Sequence, residues 1–185
     1  MEKNNPLGDI SGAQSLRRQP GFTMIELLIT ISIAAILLAV AVPNFITFVQ
    51  NGRLTGQAND FVTALNYARS EAIKRGVRVT ICSRATDTSC SGSTTWDSGL
   101  LVFVDNNGDG ARDAGETVLQ VRQALENGNT LRGAVQQRVT YQSTGFSGFA
   151  DTFRLCDTRG TASGRSITVI PQGRVSIAPG TTSCP

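Results

Sequence analysis

An α+β fold is what this sequence predicts: one long N-terminal helix, membrane-type in its first half and amphipathic in its second, packed on an antiparallel β-rich head. Three observations lead there. From residue 22 to 42 the chain reads FTMIELLITISIAAILLAVAV, an unbroken apolar run in which Glu26 is the sole charge. After Pro43 the apolar residues thin to one side: Leu54, Ala58, Phe61, Leu65, Ala68 and Ala72 recur at intervals of three and four, the spacing of a helix with one buried face. Beyond Gly76 come seven short β-type runs, VRVTIC, GLLVFV, TVLQV, RVTYQ, TFRLC, RSITVI and RVSI, separated by turn residues. That pattern predicts an antiparallel sandwich laid on the helix.

The elements follow in chain order. Residues 1–21 form a polar leader with Pro6, Gly8, Gly12 and Pro20, and with Arg17 and Arg18 near its end; residues 1–20 are the one stretch expected to lack order. The run over 22–42 is 21 residues long, about 31 Å as a helix, which matches the thickness of a bilayer core. Basic residues lie just before it and none cluster soon after, so the positive-inside rule puts the N-terminus in the cytoplasm and the rest outside. A secretory signal would carry a shorter apolar region followed by its cleavage site. Here the residue that looks like a cleavage point, Gly21, stands before the run. Residues 43–76 make the amphipathic helix, expected to stop at Gly76 and to be flexible around Gly52 and Gly56, which are poor helix formers. Residues 77–185 make the head.

Composition narrows the chemistry. Lys and Arg number 17 against 14 Asp and Glu, a net charge of +3, too mild by itself to mark a nucleic-acid protein. The chain has no His, so Ser-His-Asp and Cys-His nucleophiles, HExxH zinc sites and imidazole ligands are excluded. The two lysines are Lys3 and Lys74, which leaves little room for a Ser-Lys mechanism. No enzyme is expected.

Glu26 is then the residue that needs a reason. A carboxylate inside a membrane costs about 2.5 to 3.5 kcal/mol on insertion scales and calls for a partner. Cleavage between Gly21 and Phe22 would create one, the Phe22 α-amine, on the same chain or on a neighbouring one, where Glu26 would set the register of assembly. The plainer alternative is that Glu26 sits shallowly and reaches the headgroups.

These residues resemble a family. Gly21, Phe22, Thr23, Glu26 and Leu27 to Ile29, preceded by Arg17 and Arg18 and followed by Pro43, resemble the class III signal of type IV prepilins and type II secretion pseudopilins. The resemblance implies cleavage after Gly21 by an inner-membrane prepilin peptidase, N-methylation of Phe22, and assembly with other major and minor pilins on an inner-membrane platform. Glu26 would pair the Phe22 amine of a neighbour, and Pro43 would be the family's helix-loosening proline. ALNYARSEAIKRGVRVTIC, residues 64 to 82, with Trp96, Gly99, Phe103, Gly173 and Arg174, further resembles the minor-pilin branch of GspH, FimT and FimU. Leu100 stands where that branch often has a second Trp.

Three features of the head remain. Cys82, Cys90, Cys156 and Cys184 are even in number and lack the C-x-x-C spacing of zinc sites, which fits disulfides in an oxidising compartment. Three connectivities are open; the sequence-local pairs, Cys82 with Cys90 and Cys156 with Cys184, are the expectation, against buried free thiols. DNNGDGARDAGE, residues 105 to 116, places Asp105, Asn107, Asp109, Asp113 and Glu116 at positions 1, 3, 5, 9 and 12, with Gly110 at position 6. That matches a calcium loop, although its flanks read as strands and Asn, Gly and Asp are also what a polar hairpin uses. Finally, DNA-uptake pilins of this branch carry a G-R-x-R phrase where this chain reads Gly173, Arg174, Val175, Ser176. Arg165 and Arg174, with Arg138, Arg154 and Arg159, are the candidates for a phosphate-binding face. Loss of residues 1–21 would remove three basic and two acidic residues and leave 14 against 12, or +2. The expected function is a minor pilin that primes or tips a type IV pilus; the alternatives are a minor pseudopilin of type II secretion and a DNA-binding pilin.

Overall fold

The computed structural model describes residues 21–184; the leader with Arg17 and Arg18 lies outside them apart from Gly21. One helix, α1, runs from Met24 to Arg75. Thr23 caps it: its Oγ1 accepts the Glu26 N–H at 3.2 Å and its carbonyl the Leu27 N–H at 3.1 Å, satisfying donors that a helix start otherwise leaves open. At the other end Gly76, with φ of 67°, turns the chain away and donates its N–H to the Ala72 carbonyl at 3.0 Å, the left-handed stop its position suggested.

No break occurs at Gly52 and Gly56, where flexibility was expected; α1 is continuous there. The reason is packing. Leu54 and Ala58 next to them are fully buried, whereas a side chain at Gly52 or Gly56 would meet nothing within 4 Å. The buried stripe fixes the backbone and overrides the weak propensity of the glycines on the open side.

The chain divides into two units between Asn44 and Phe45. In the first, the helix is exposed throughout and its side chains from Phe22 to Val42 are almost all apolar; among the described residues it is the one helix long and apolar enough to cross a membrane. Its hydroxyls are folded back, Thr30 Oγ1 donating to the Leu27 carbonyl at 2.8 Å and Ser32 Oγ to that of Leu28 at 2.7 Å, so they do not face an apolar solvent unpaired.

Among its described residues the second unit holds nine strands: β1 (Val79–Thr86), β2 (Ser89–Cys90), β3 (Leu100–Val104), β4 (Val118–Arg122), β5 (Thr130–Arg132), β6 (Arg138–Tyr141), β7 (Asp151–Cys156), β8 (Arg165–Val169) and β9 (Val175–Pro179). One sheet orders β2, β1, β3, β4, with β6 also on β1; the other orders β5, β7, β8, β9. Every pairing is antiparallel. The seven sequence runs all become strands. The two additions, β2 and β5, are two and three residues long and too short to show alternation in the sequence.

The helix stripe and both sheets share one core. Leu54, Ala58, Phe61, Leu65, Ala68 and Ala72 are buried with Val79, Ile81, Val102, Val139 and Tyr141 of the first sheet and Phe153, Leu155, Ile167 and Val169 of the second. Phe61, Trp96 and Phe153 meet edge to face at its centre, with centroids 4.9 to 5.6 Å apart. A smaller cluster, Cys82, Leu101 and Phe103, lies on the other face of the first sheet, so β3 is buried at all five positions.

Candidate functional site

The start of α1 is the first candidate. Gly21, Phe22 and Thr23 are exposed and precede the helix, so the bond between Gly21 and Phe22 is not held in helical hydrogen bonding. Glu26 sits in the first turn of α1, exposed, at the third helical position, where a negative charge complements the open N–H groups of the helix end. Thr23 and Glu26 have the spacing of a capping box, and the Thr23 half of it is formed. The sequence carries this signal as T-x-x-E, Thr23 to Glu26. Pro43 lies inside α1 and Asn44 Nδ2 donates to the Val40 carbonyl at 2.9 Å beside it.

In the head, Cys82 is bonded to Cys90 and Cys156 to Cys184. The first closes the β1–β2 hairpin; the second fastens the chain end onto β7, where Arg154 Nη1 also donates to Ser183 Oγ at 2.6 Å. With Cys156 and Cys184 separated by 28 positions in sequence, replacing both by Ala is expected to lower the stability of the head by about 2 to 4 kcal/mol. A denaturant titration that gave the same midpoint as the parent would refute this.

The loop over 105–116 spends its side chains on its own backbone. Asp105, 1% exposed, accepts from Gly108 N–H at 2.6 Å, Gly110 N–H at 3.0 Å and Thr80 Oγ1 at 2.7 Å. Glu116 accepts from the N–H groups of Asn106 and Asp113 at 2.8 and 3.1 Å. Asn107 bridges Asp109 and Asp113 at 2.9 and 3.0 Å. The Arg78 and Arg138 side chains press on Gly108 and Gly110. Among the described residues no group of three or more His, Cys, Asp and Glu is placed to hold a metal. The five oxygen-bearing residues are thus neighbours, engaged as turn braces of the kind Asx side chains make.

The arginines are dispersed. Arg165 opens β8 opposite Pro179, whereas Arg174 precedes β9 at the other end of that hairpin, about 15 Å away at strand spacing. Arg165 Nη1 donates to the Ser163 and Gly164 carbonyls at 2.8 and 2.9 Å, while Arg174 is exposed. Arg138 leans on Gly110 and Arg154 on Ser183. Arg159 Nη2 lies 2.7 Å from Asp157 Oδ2. Burial pushes the Asp157 carboxyl up, but its hydrogen bonds and charge contact with Arg159 outweigh that and hold it below the usual carboxylate range. Strand register thus keeps Arg165 and Arg174, two of the candidate arginines, at opposite ends of the β8–β9 hairpin.

A capped apolar helix with one acid in its first turn, running on into a helix that packs two antiparallel sheets, defines a pilin-type subunit. Residues 57–173 match the family described as type II transport protein GspH, and residues 16–42 the prokaryotic N-terminal methylation motif. This chain belongs to the GspH family. A fimbrial protein of Pseudomonas aeruginosa is 29% identical over 127 residues, covering 65% of this chain and 78% of that protein. Two crystal structures of the P. aeruginosa type IV minor pilin FimU share the fold, with TM-scores of 0.57 and 0.60 at 22% identity; they cover 71% and 75% of this chain and 100% and 99% of their own.

Proposed function

We propose that this chain is a minor pilin: a structural and assembly subunit, held in the inner membrane by residues 22–42 until it enters a type IV pilus as a priming or tip component. The observation that carries the reading is the junction of a methylation-type N-terminus with a GspH-family head on one continuous helix. In this reading residues 1–21 are a leader cut by prepilin peptidase in the non-helical segment before Met24. Phe22 is then N-methylated, the N-terminus faces the cytoplasm, and the head is periplasmic. The partners are other pilins, the peptidase and the assembly platform. The similarity to a fimbrial protein favours the pilus; the family description supports a second reading, a minor pseudopilin of type II secretion.

Glu26 supplies the test. Its carboxylate and the Phe22 amine of an adjacent subunit form the pair that sets register in the filament core. Glu26→Ala leaves that amine unpaired, which for a buried pair costs about 3 to 5 kcal/mol. The variant is expected to insert, to be cut after Gly21 and to be methylated, as mass spectrometry of the N-terminal peptide would show. Its recovery in sheared filaments should fall more than about tenfold. Unchanged recovery would remove the assembly role. Deleting the gene and scoring surface filaments against protein secretion separates pilus from pseudopilus.

A further inference from the structure

Asparagine followed by glycine occurs three times in the chain, at Asn51–Gly52, Asn107–Gly108 and Asn127–Gly128. Each pair has the atoms for one intramolecular reaction. The glycine backbone nitrogen can attack the asparagine side-chain carbonyl carbon, closing a cyclic imide and expelling ammonia; glycine has no Cβ to obstruct the closure. For this the nitrogen must give up its proton, the carboxamide must be free to turn and the backbone must leave its resting conformation. The fold treats the three pairs differently.

Two are held. Asn51 and Gly52 lie inside α1, where helical hydrogen bonding fixes the glycine nitrogen, and Asn51 Oδ1 accepts from Arg159 Nη1 at 3.0 Å. Gly108 N–H donates to Asp105 Oδ1 at 2.6 Å, a charge-assisted bond that keeps the proton on the nitrogen. The Asn107 carboxamide is fixed at both its atoms. Its Nδ2 donates to Asp109 and Asp113 at 2.9 and 3.0 Å, and its Oδ1 accepts the Asp109 N–H at 3.1 Å.

The third is not held. Asn127 and Gly128 are the exposed centre of the turn between β4 and β5, with φ of 62° and 69°, the pair of positive values for which Asn-Gly is the preferred sequence. Asn129 N–H closes the turn onto the Glu126 carbonyl at 3.4 Å, longer than the ordinary N–H···O bond of about 2.7 to 3.2 Å. A Cβ at Gly128 would meet nothing within 4 Å. Among the described residues neither the Asn127 side chain nor the Gly128 N–H has a hydrogen-bond partner.

We propose that Asn127 is a site of spontaneous covalent modification, the one Asn-Gly pair of the three that the folded chain leaves reactive. Gly128 N bonds to Asn127 Cγ and the Cγ–Nδ2 bond breaks, releasing ammonia. Water then adds to one of the two imide carbonyls and opens the ring. The product is aspartate, or isoaspartate, in which the main chain runs through the former side chain and is one methylene longer. No electrons are exchanged with any other group. Either product sets a new carboxylate beside Glu126, in the wall of a cleft that Asp60 also lines. The isoaspartyl form also lengthens the turn that positions Asn129, whose Nδ2 donates to Gln57 Oε1 of α1 at 2.7 Å. Modification therefore loosens the hold of this turn on the helix.

The assignment is tested on the full chain, held in detergent and incubated in mildly alkaline buffer made with heavy-oxygen water, by peptide mass spectrometry. Heavy oxygen is expected to enter the peptide covering Asn127 at least about tenfold faster than those covering Asn51 and Asn107, the factor that one hydrogen bond to a charged group is worth. In the chain unfolded by denaturant with its disulfides reduced, the three peptides should convert at similar rates, since each is Asn-Gly. Asn127→Gln should abolish the fast signal. Backbone amides of residues 123–129 should exchange several-fold faster in the converted chain, up to about tenfold for the loss of one hydrogen bond, while β3 keeps its protection. Equal rates at the three sites of the folded chain, or faster conversion at Asn107, overturn the proposal. So does the same order of rates in the unfolded chain, which would trace the preference to neighbouring sequence and not to the fold. Unchanged amide exchange over residues 123–129 after conversion overturns the loosening.

Discussion

Phe61→Ala is expected to lower the stability of the unit from Phe45 onward by about 3 to 5 kcal/mol. Phe61 is 3% exposed and meets Trp96 and Phe153 edge to face at 5.6 and 4.9 Å. Those two rings also touch each other at 5.2 Å. Truncating Phe61 removes the ring that joins the helix to both. The loss therefore includes apolar burial, a cavity and two aromatic pairs, each pair adding about 0.5 to 1.5 kcal/mol beyond area. Collapse into the gap is hindered because helix and sheets are pinned on either side by Leu54, Leu65, Val102 and Leu155, all at most 1% exposed. Against a typical total of about 5 to 15 kcal/mol, such a loss would shift thermal unfolding by roughly 10 °C. Ile73→Ala is the control: Ile73 is 51% exposed on the same helix, and its truncation is expected to cost well under half as much. Equal losses for the two variants would show that the aromatic trio is not the keystone of the core.

Gly99→Ala is expected to cost about 2 to 4 kcal/mol, summing backbone strain and overpacking. Gly99 has φ of 101°, and a Cβ there would run into the Arg122 carbonyl oxygen and reach Gln123 at 2.8 Å. The backbone cannot swing aside. Gly99 N–H donates to the Trp96 carbonyl at 3.2 Å and its own carbonyl accepts the Arg84 N–H at 3.0 Å, so the residue ties the Trp96 loop to β1 as β3 begins. Gly115→Ala has neither problem, with ordinary φ and nothing within 4 Å, and should be close to neutral. Chemical denaturation of both variants decides the matter; a Gly99→Ala midpoint within error of Gly115→Ala would refute the close approach. The same φ argument explains why glycine is the residue that lets a carbonyl come so near at this point.

Much of this architecture was legible in the chain. Residues 54 to 72 repeat at helical spacing and end at Gly76, because periodicity and a left-handed stop are local properties that a sequence writes directly. The same holds for the seven runs that became strands. The polar features were harder. Asp105 and Glu116 fit a calcium-loop pattern and a polar hairpin equally well in the sequence, and in the fold their oxygens accept backbone N–H groups and the Thr80 hydroxyl. The pattern records which residue types are present; which donors reach them first depends on how the loop lies over β1. Gly52 and Gly56 erred in the opposite sense, with weak propensity overruled by Leu54 and Ala58 in the core.

The sequence by itself determined an apolar helix with a single acid, its amphipathic continuation and a β-rich head, since each depends on side chains close together in the chain. Only tertiary structure decided that β5, β7, β8 and β9 form a sheet separate from β1, β2, β3, β4 and β6. Only it could send Arg159 and Arg165 to Asn51 and Thr55, more than a hundred residues earlier, while leaving Arg174 at the opposite end of its hairpin. Contacts at that separation are fixed by strand register and by packing on α1, and a one-residue slip would turn every side chain of a strand to the other face. That is why the chain could announce its arginines but not which of them share a surface.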